Sequence, residues 1–254
     1  EDMAGFDGPK KYDLLELTDG KSELLGDLVL PAGEYAQIRF MLDVAERGQG
    51  SGGPPSNPGS YVELNGDTED RSEEPLFVPS GGQSGYKAHV GDEETFTVPE
   101  NGEVAVTADF DLRKALARTG GNDPRYILKP VVRLIVEGQA GSIGGTVSYG
   151  GSGSAETLVV YAYEDGTFTQ SEADDPGADE ESRFPNAVTS AVAKDIDDDG
   201  TREYTLAFLA EGTYDLVVAE YDNEGAYVDG SGDSVDLEDV EVTAGQTTTE
   251  DLTE

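Results

Sequence analysis

Asp195, Asp197 and Asp199 stand at alternate positions, Gly200 follows, and Glu203 lies four residues beyond Asp199. This Asp-x-Asp-x-Asp-Gly spacing is that of a calcium loop. Alternate carboxylates can converge on one hard cation, and the glycine permits the sharp turn. The twelfth loop position is Leu206, so the bidentate glutamate of an EF-hand is missing, and Glu203 at the ninth position replaces it only in part. The flanks, Val188 to Lys194 and Glu203 to Leu209, read as strands and not helices. Two readings follow: a calcium site with Asp195, Asp197, Asp199 and Glu203 as ligands, or an acidic hairpin turn on a salt-adapted surface. Calcium is the one cofactor the sequence puts forward.

Other chemistry is sparse. The chain has no cysteine, hence no disulfide, thiolate metal site or cysteine nucleophile. His89 is the single histidine, without a second metal-ligating histidine or cysteine. There is no Gly-x-Ser-x-Gly elbow, no phosphate loop and no His-Glu-x-x-His. Acids are so abundant that no pair stands out as a glycosidase couple. Tryptophan is absent, which removes the commonest sugar-stacking platform, although 12 tyrosines remain. The chain therefore reads as a non-enzyme.

The acids must be held by something. Over 254 residues, 54 acidic and 16 basic side chains leave a formal charge of −38. Such a field repels nucleic acid and anionic membrane surfaces. Long runs of Val, Leu, Ile and Tyr argue against disorder throughout. Scarce lysine and excess carboxylate fit adaptation to molar salt, where counterions screen self-repulsion. No run approaches the ~18 apolar residues of a membrane helix.

The elements that position these residues are strands. Tyr35 to Val44 alternates, with Ile38, Phe40 and Leu42 predicted to face a core. Tyr61–Leu64, Leu76–Val78, Tyr86–Val90 and Glu94–Val98 are further short strands. Val104 to Asp109 alternates, and Asp111 is placed to cap one short helix near 112–118, ended by Gly120 and Gly121. Ile127 to Val136 is a near-continuous apolar run, read as one buried strand that Pro130 interrupts at an edge or bulge. Residues 137–141 form a linker. Beyond it come Ser142–Tyr149, Thr157–Tyr163, Val188–Lys194, Glu203–Leu209, Thr213–Glu220, Val235–Val242 and Thr247–Leu252, with Glu172 to Arg183 as an acidic mobile loop whose runs Asp174–Asp175 and Asp179–Glu180–Glu181 read as solvated. Short, regularly spaced strands with glycine turns predict an all-β fold of two β-sandwich-type domains in tandem, 1–137 and 138–254.

An ordered set of segments carries a family resemblance. It comprises Tyr12–Asp13–Leu14–Leu15–Glu16–Leu17, Leu30–Pro31–Ala32–Gly33–Glu34–Tyr35–Ala36–Gln37–Ile38–Arg39, Val78–Pro79–Ser80–Gly81, Ser84–Gly85–Tyr86–Lys87, Asp109–Phe110–Asp111 and Leu128–Lys129–Pro130–Val131. Over roughly residues 10–137 the chain resembles the DUF4382 domain, a family of secreted or lipid-anchored β-rich proteins with no established activity. The set Gly144–Gly145–Thr146–Val147, Val160–Tyr161–Ala162, Tyr204–Thr205–Leu206 and Leu209 through Leu216 resembles carboxypeptidase regulatory-like domains, which have a prealbumin-like sandwich. Members of the first family usually carry a further β-forming segment and a secretion signal upstream of the Tyr-Asp-Leu-Leu stretch, where this chain opens. The expectation is either a truncated chain or a strand supplied by a neighbouring subunit.

Together these readings imply a secreted cell-surface structural or adhesive protein of a halophile. It would be a filament subunit assembled through β-strand edges, self-associating or pairing with another surface protein. The alternative is an envelope-associated module binding polysaccharide or calcium. The expected location is extracellular, with a lipid anchor in the precursor as the resemblance allows, no transmembrane segment and no nucleic-acid partner.

Overall fold

The computed structural model describes residues 8, 10–25, 29–42, 60–64, 72–78, 85–90, 95–100, 102–118, 126–129, 131–148, 157–174, 183–195, 201–228 and 235–253. The fold is all-β. In the first half the strands are β1 (Gly33–Tyr35), β2 (Gln37–Phe40), β3 (Tyr61–Leu64), β4 (Ser72–Phe77), β5 (Tyr86–Val90), β6 (Phe96–Val98) and β7 (Val106–Phe110). A short helix α1 (Leu112–Ala115) precedes β8 (Leu116–Arg118), β9 (Tyr126–Leu128) and β10 (Val132–Val136). The second half holds β11 (Ala140–Ser148), β12 (Thr157–Glu164), β13 (Thr189–Ala193), β14 (Arg202–Ala210), β15 (Gly212–Tyr221), β16 (Val235–Val242), β17 (Thr247–Thr249) and β18 (Leu252–Thr253).

The chain divides into two compact units, one comprising residues up to 13 and 24–134, the other 14–23, 135–176 and the chain from 183 onward. The turn at Thr18–Lys21, closed by the Lys21 N–H on the Thr18 carbonyl (3.0 Å), therefore belongs with the second unit. There the Lys194 ammonium bonds Asp19 at 2.6 Å. Gly20, at φ +77°, sits so close to β14 that an added Cβ would stand 3.2 Å from that of Ala207.

The first unit has two four-stranded sheets, β2-β5-β10-β7 and β3-β4-β9-β8, and a β1-β6 pair. Strands β2 and β5 run antiparallel, whereas β5 and β10 run parallel, Arg133 opposite His89. Leu76, Val78, Tyr86, Ala115 and Leu128 form the core, with Phe40, Val62, Phe110 and Val132 packed against it. Both four-stranded sheets contribute to this core, which makes a sandwich with two outward faces.

Three local expectations change here. The Tyr35–Val44 strand is two strands, because β1 pairs with β6 while β2 pairs with β5. Phe40 and Leu42 do pack on the core. Secondly, the run Ile127–Val136 is split between two sheets: β9 lies beside β4 and β10 beside β5. The Val131 N–H turns back onto the Lys129 carbonyl at 2.9 Å. Pro130 itself lies outside the described residues, but a proline has no N–H for a ladder, and the change of sheet falls there. Thirdly, the helix near 112–118 is only Leu112–Ala115, and Leu116–Arg118 is a strand antiparallel to β9. One short turn cannot outweigh ladder pairing, since helix nucleation is costly. Nor does Asp111 cap that turn with its side chain. Its carboxylate instead takes Arg113 (3.1 Å) and Lys114 (3.5 Å).

The second unit is a sandwich of sheets β14-β11-β17, with β18 also on β11, and β13-β12-β15-β16. Its core includes Ile143, Leu158, Val160, Leu206, Leu209, Leu216, Val218 and Val240. The sheet bearing β12 is covered on its other face too, where Val159, Tyr161, Tyr163, Val217 and Ala219 meet Ala173, Phe184 and Ala187. Burial on both faces explains why Thr157–Tyr163 is apolar almost throughout instead of alternating.

Candidate functional site

Of the predicted calcium ligands, Asp195 and Glu203 are both exposed, whereas Asp197 and Asp199 lie outside the described residues. Lys194 and Glu203 exchange backbone hydrogen bonds at 2.8 Å in each direction, an isolated antiparallel bridge at the base of the segment that joins β13 to β14. The Lys194 ammonium beside this base is held by Asp19 and by Thr18 Oγ1, the latter at 3.2 Å.

A different carboxylate group forms in space. One carboxylate oxygen each of Asp165, Asp215 and Asp239 lies within 4.8 Å of the others. Asp165 opens the turn after β12, with its N–H on the Thr213 carbonyl at 3.1 Å. The next residue, Gly166, takes φ +70° and donates its N–H to Asp215 Oδ2 at 2.8 Å. Asp215 sits where the β15–β16 register shifts, between Tyr214 and Leu216, and it is buried. Asp239 comes from β16 and, like Asp165, is exposed. Oxygen ligands of this kind suit a hard divalent cation. Sequence reading missed the group because its members are 50 and 24 residues apart and resemble the many other acids. The only sequence signal is the Asp165–Gly166 turn.

Glu172 is a second unexpected carboxylate. It stands at the start of the segment expected as an acidic mobile loop, but it is buried at the 3-10 turn Gln170–Ala173. Tyr163 Oη donates to its Oε2 at 2.9 Å, the Asn186 N–H donates to the same oxygen at 3.1 Å, and Asn186 Nδ2 donates to Oε1 at 3.1 Å. Thr169 Oγ1 adds a fourth donor to Oε1 at 3.4 Å, so the buried carboxyl group is satisfied. Its place is structural: it ties the covering segment to β12. Nearby, the Phe184 ring is tilted against that of Tyr161 with centroids 4.4 Å apart, Tyr227 packs edge-on to Phe184 and Tyr221, and the Arg183 guanidinium lies 4.5 Å over the Tyr227 ring.

The chain matches the family described as a domain of unknown function (DUF4382) over residues 1–130, and it belongs to that family. No curated protein matches it. Among solved structures, a "putative cell adhesion protein" from Bacteroides fragilis is similar at 9% identity and a TM-score of 0.22, covering 85% of this chain and 90% of that one. A likeness at that score carries no argument about this chain.

Proposed function

We propose that this chain is a secreted structural or adhesive protein of the cell surface, assembling through its β-strand edges into an extracellular filament, without catalytic activity. The observation that carries the reading is that, among the described residues, the large apolar side chains exposed on strands lie at sheet edges, whereas Leu15, Leu24, Val29 and Met41 are exposed outside the strands. Tyr61 is 41% exposed on β3, Leu116 38% on β8 and Val192 41% on β13, and each of these strands is terminal in its sheet. Proteins usually protect such edges with charge or bulges, because an open edge templates pairing with another chain. Membership of a family of unknown function is compatible with a non-enzymatic role. Among the described residues no helix is long and apolar enough to cross a membrane. The formal charge of −38 supports a salt-loving source, and the two-sheet second unit is compatible with a carboxypeptidase regulatory-like module. Electron microscopy of the protein from its native surface in high salt tests the proposal. Fibres in which a strand of one subunit joins a sheet of the next are expected, and isolated monomers with closed edges would overturn it.

A second reading is a calcium- or polysaccharide-binding envelope module. The Asp165–Asp215–Asp239 group favours its calcium form. Calorimetric titration with calcium should then give heat in the native chain and none in Asp215→Asn, and equal curves for the two would remove that group from consideration.

A further inference from the structure

The second unit has β13 and β16 at the edges of one sheet, and β14 and the strands β17 and β18 at the edges of the other. An open edge templates pairing, and proteins guard it with charge, bulges or cover. Three of these edges are guarded. On β16, Asp239 and Glu241 are exposed. The β17–β18 edge is interrupted between Thr249 and Leu252, where Asp251 is exposed. On β14, Phe208 turns left-handed at φ +59°, the register with β11 shifts beside it, and Gly20 lies against Ala207.

Strand β13 has none of these devices. Thr189, Ser190, Ala191, Val192 and Ala193 include no charge and no proline, in a chain whose residues are 28% charged. Their register with β12 is unbroken. Among the described residues no strand pairs with the other side of β13. Ala191 and Ala193 face the core, and Val192 is exposed on the opposite face beside Val159. Directly after the strand, the Lys194 N–H donates to the Glu203 carbonyl and the Lys194 carbonyl accepts the Glu203 N–H, so these groups point away from β12. Groups bonding to one side recur at every second residue of an antiparallel strand, so Val192 and Ser190 also point their N–H and carbonyl away from β12. At the other end the Val188 N–H donates to the Ala162 carbonyl at 2.7 Å, although Thr189 is the register partner of Ala162, so a bulge ends the ladder. The open stretch is Ser190 to Val192.

We infer that two copies of this chain pair β13 with β13, antiparallel about a two-fold axis through Ala191, and so join two four-stranded sheets into one of eight strands. Ser190 of each copy then exchanges both backbone hydrogen bonds with Val192 of the other. The edge is complementary to itself because its free groups are two residues apart. The partner is a second copy because this edge brings no like charge to its own image, whereas the other edges of the unit bring carboxylates, a bulge or cover. Neither backbone hydrogen bonds nor burial of Val192 needs attraction between charges. The pairing therefore holds in molar salt, which also screens the formal charge of −38. The chain ends that meet across the axis leave the sheet on opposite sides. Before Thr189 the chain comes from the cover that holds Ala187, and after Lys194 it passes to β14 in the opposite sheet. A three-residue seam is only ~10 Å long. It falls far below a standard interface, so pairing is weak alone and concentration-dependent. An isologous contact closes on two copies, and a filament needs a further edge such as β3 or β8. The inference rests on the strand-edge assembly proposed above and names one edge and its partner.

Disulfide trapping tests it. The chain lacks cysteine, so an introduced thiol is the only one. Ser190→Cys and Val192→Cys chains, each checked for folding by circular dichroism, are oxidised in molar potassium chloride, alone and as an equimolar mixture. Across the axis positions 190 and 192 stand ~5.5 Å apart between Cα atoms, within disulfide reach. Two copies of one position lie on the diagonal at ~7–8 Å, beyond that reach. The mixture should therefore give a disulfide-linked dimer, and neither variant alone should. Either variant cross-linking alone as fully as the mixture would overturn the two-fold seam. An uncross-linked mixture under conditions where the native chain assembles would overturn β13 pairing and leave assembly through β3 or β8 standing. An uncross-linked mixture together with a native chain that is monomeric at every concentration would overturn both readings. A cross-linked pair with no larger species would support β13 pairing and overturn the filament. Val192→Cys joined on the native surface to a different protein in place of a second copy would overturn the choice of partner.

Discussion

Glu172 shows how much one side chain can decide. Its carboxylate accepts from Tyr163 and Asn186 while its own carbonyl accepts the Phe184 N–H at 3.0 Å. Phe184 holds φ +54°, a left-handed conformation that a bulky residue tolerates only when its surroundings over-determine it. Tyr163→Phe removes one donor to a buried charge and should cost about 1.5–3 kcal/mol in urea unfolding. A loss well below that would mean the carboxylate finds a replacement donor. Asp251 makes a prediction about pH. Hydrogen bonds from the Thr146 N–H and Oγ1, both 2.9 Å, hold its carboxyl below the ordinary carboxylate range. A depressed folded pKa stabilises the fold above the unfolded pKa, and that contribution disappears as pH falls through the folded value. Asp251→Ala should therefore be less stable than the native chain at neutral pH, with the difference closing in acid. A pH-independent difference would show that the charge is not what matters.

At the scale of the element, backbone spacing is the controlling quantity. β11 is flanked by β14 on one side and by β17 and β18 on the other. Between those last two strands, Glu250 donates its N–H to the Gly144 carbonyl at 3.0 Å, and its own carbonyl accepts Tyr204 Oη at 2.8 Å. A Cβ on Gly145 would strike that carbonyl, which is backbone and cannot swing away. Gly145→Ala should cost about 1–3 kcal/mol through overpacking. It should also raise amide exchange across Thr247–Thr253 ahead of the rest of the sheet. Uniform exchange would place the strain elsewhere. The covering segment of the other sheet behaves as an element too. Phe184→Ala deletes a ring buried against Tyr161 and Tyr227 and should lose about 3–5 kcal/mol.

For the whole molecule, charge sets the conditions under which the packing holds. A formal charge of −38 opposes compaction by self-repulsion, and salt relieves it. Under the proposed salt-loving origin, the thermal midpoint rises steeply as potassium chloride is added, and the chain loses cooperative folding without salt. Cooperative unfolding in salt-free buffer would count against that origin.

The sequence alone determined the class. Alternating Val, Leu, Ile and Tyr in short segments between glycine turns can bury a face only as sheets, and the Leu30–Tyr35, Ser84–Lys87 and Leu128–Val131 segments were enough to identify the family. Excess carboxylate is equally a property of composition. Tertiary structure decided which carboxylates matter and where strands change partners. Asp165, Asp215 and Asp239 converge only because β12, β15 and β16 are neighbours in one sheet. Leu116–Arg118 becomes a strand only because β9 lies beside it. Local pattern encodes which face of a segment is apolar, but not which other segment it will meet, because pairing is settled by contacts remote in the chain.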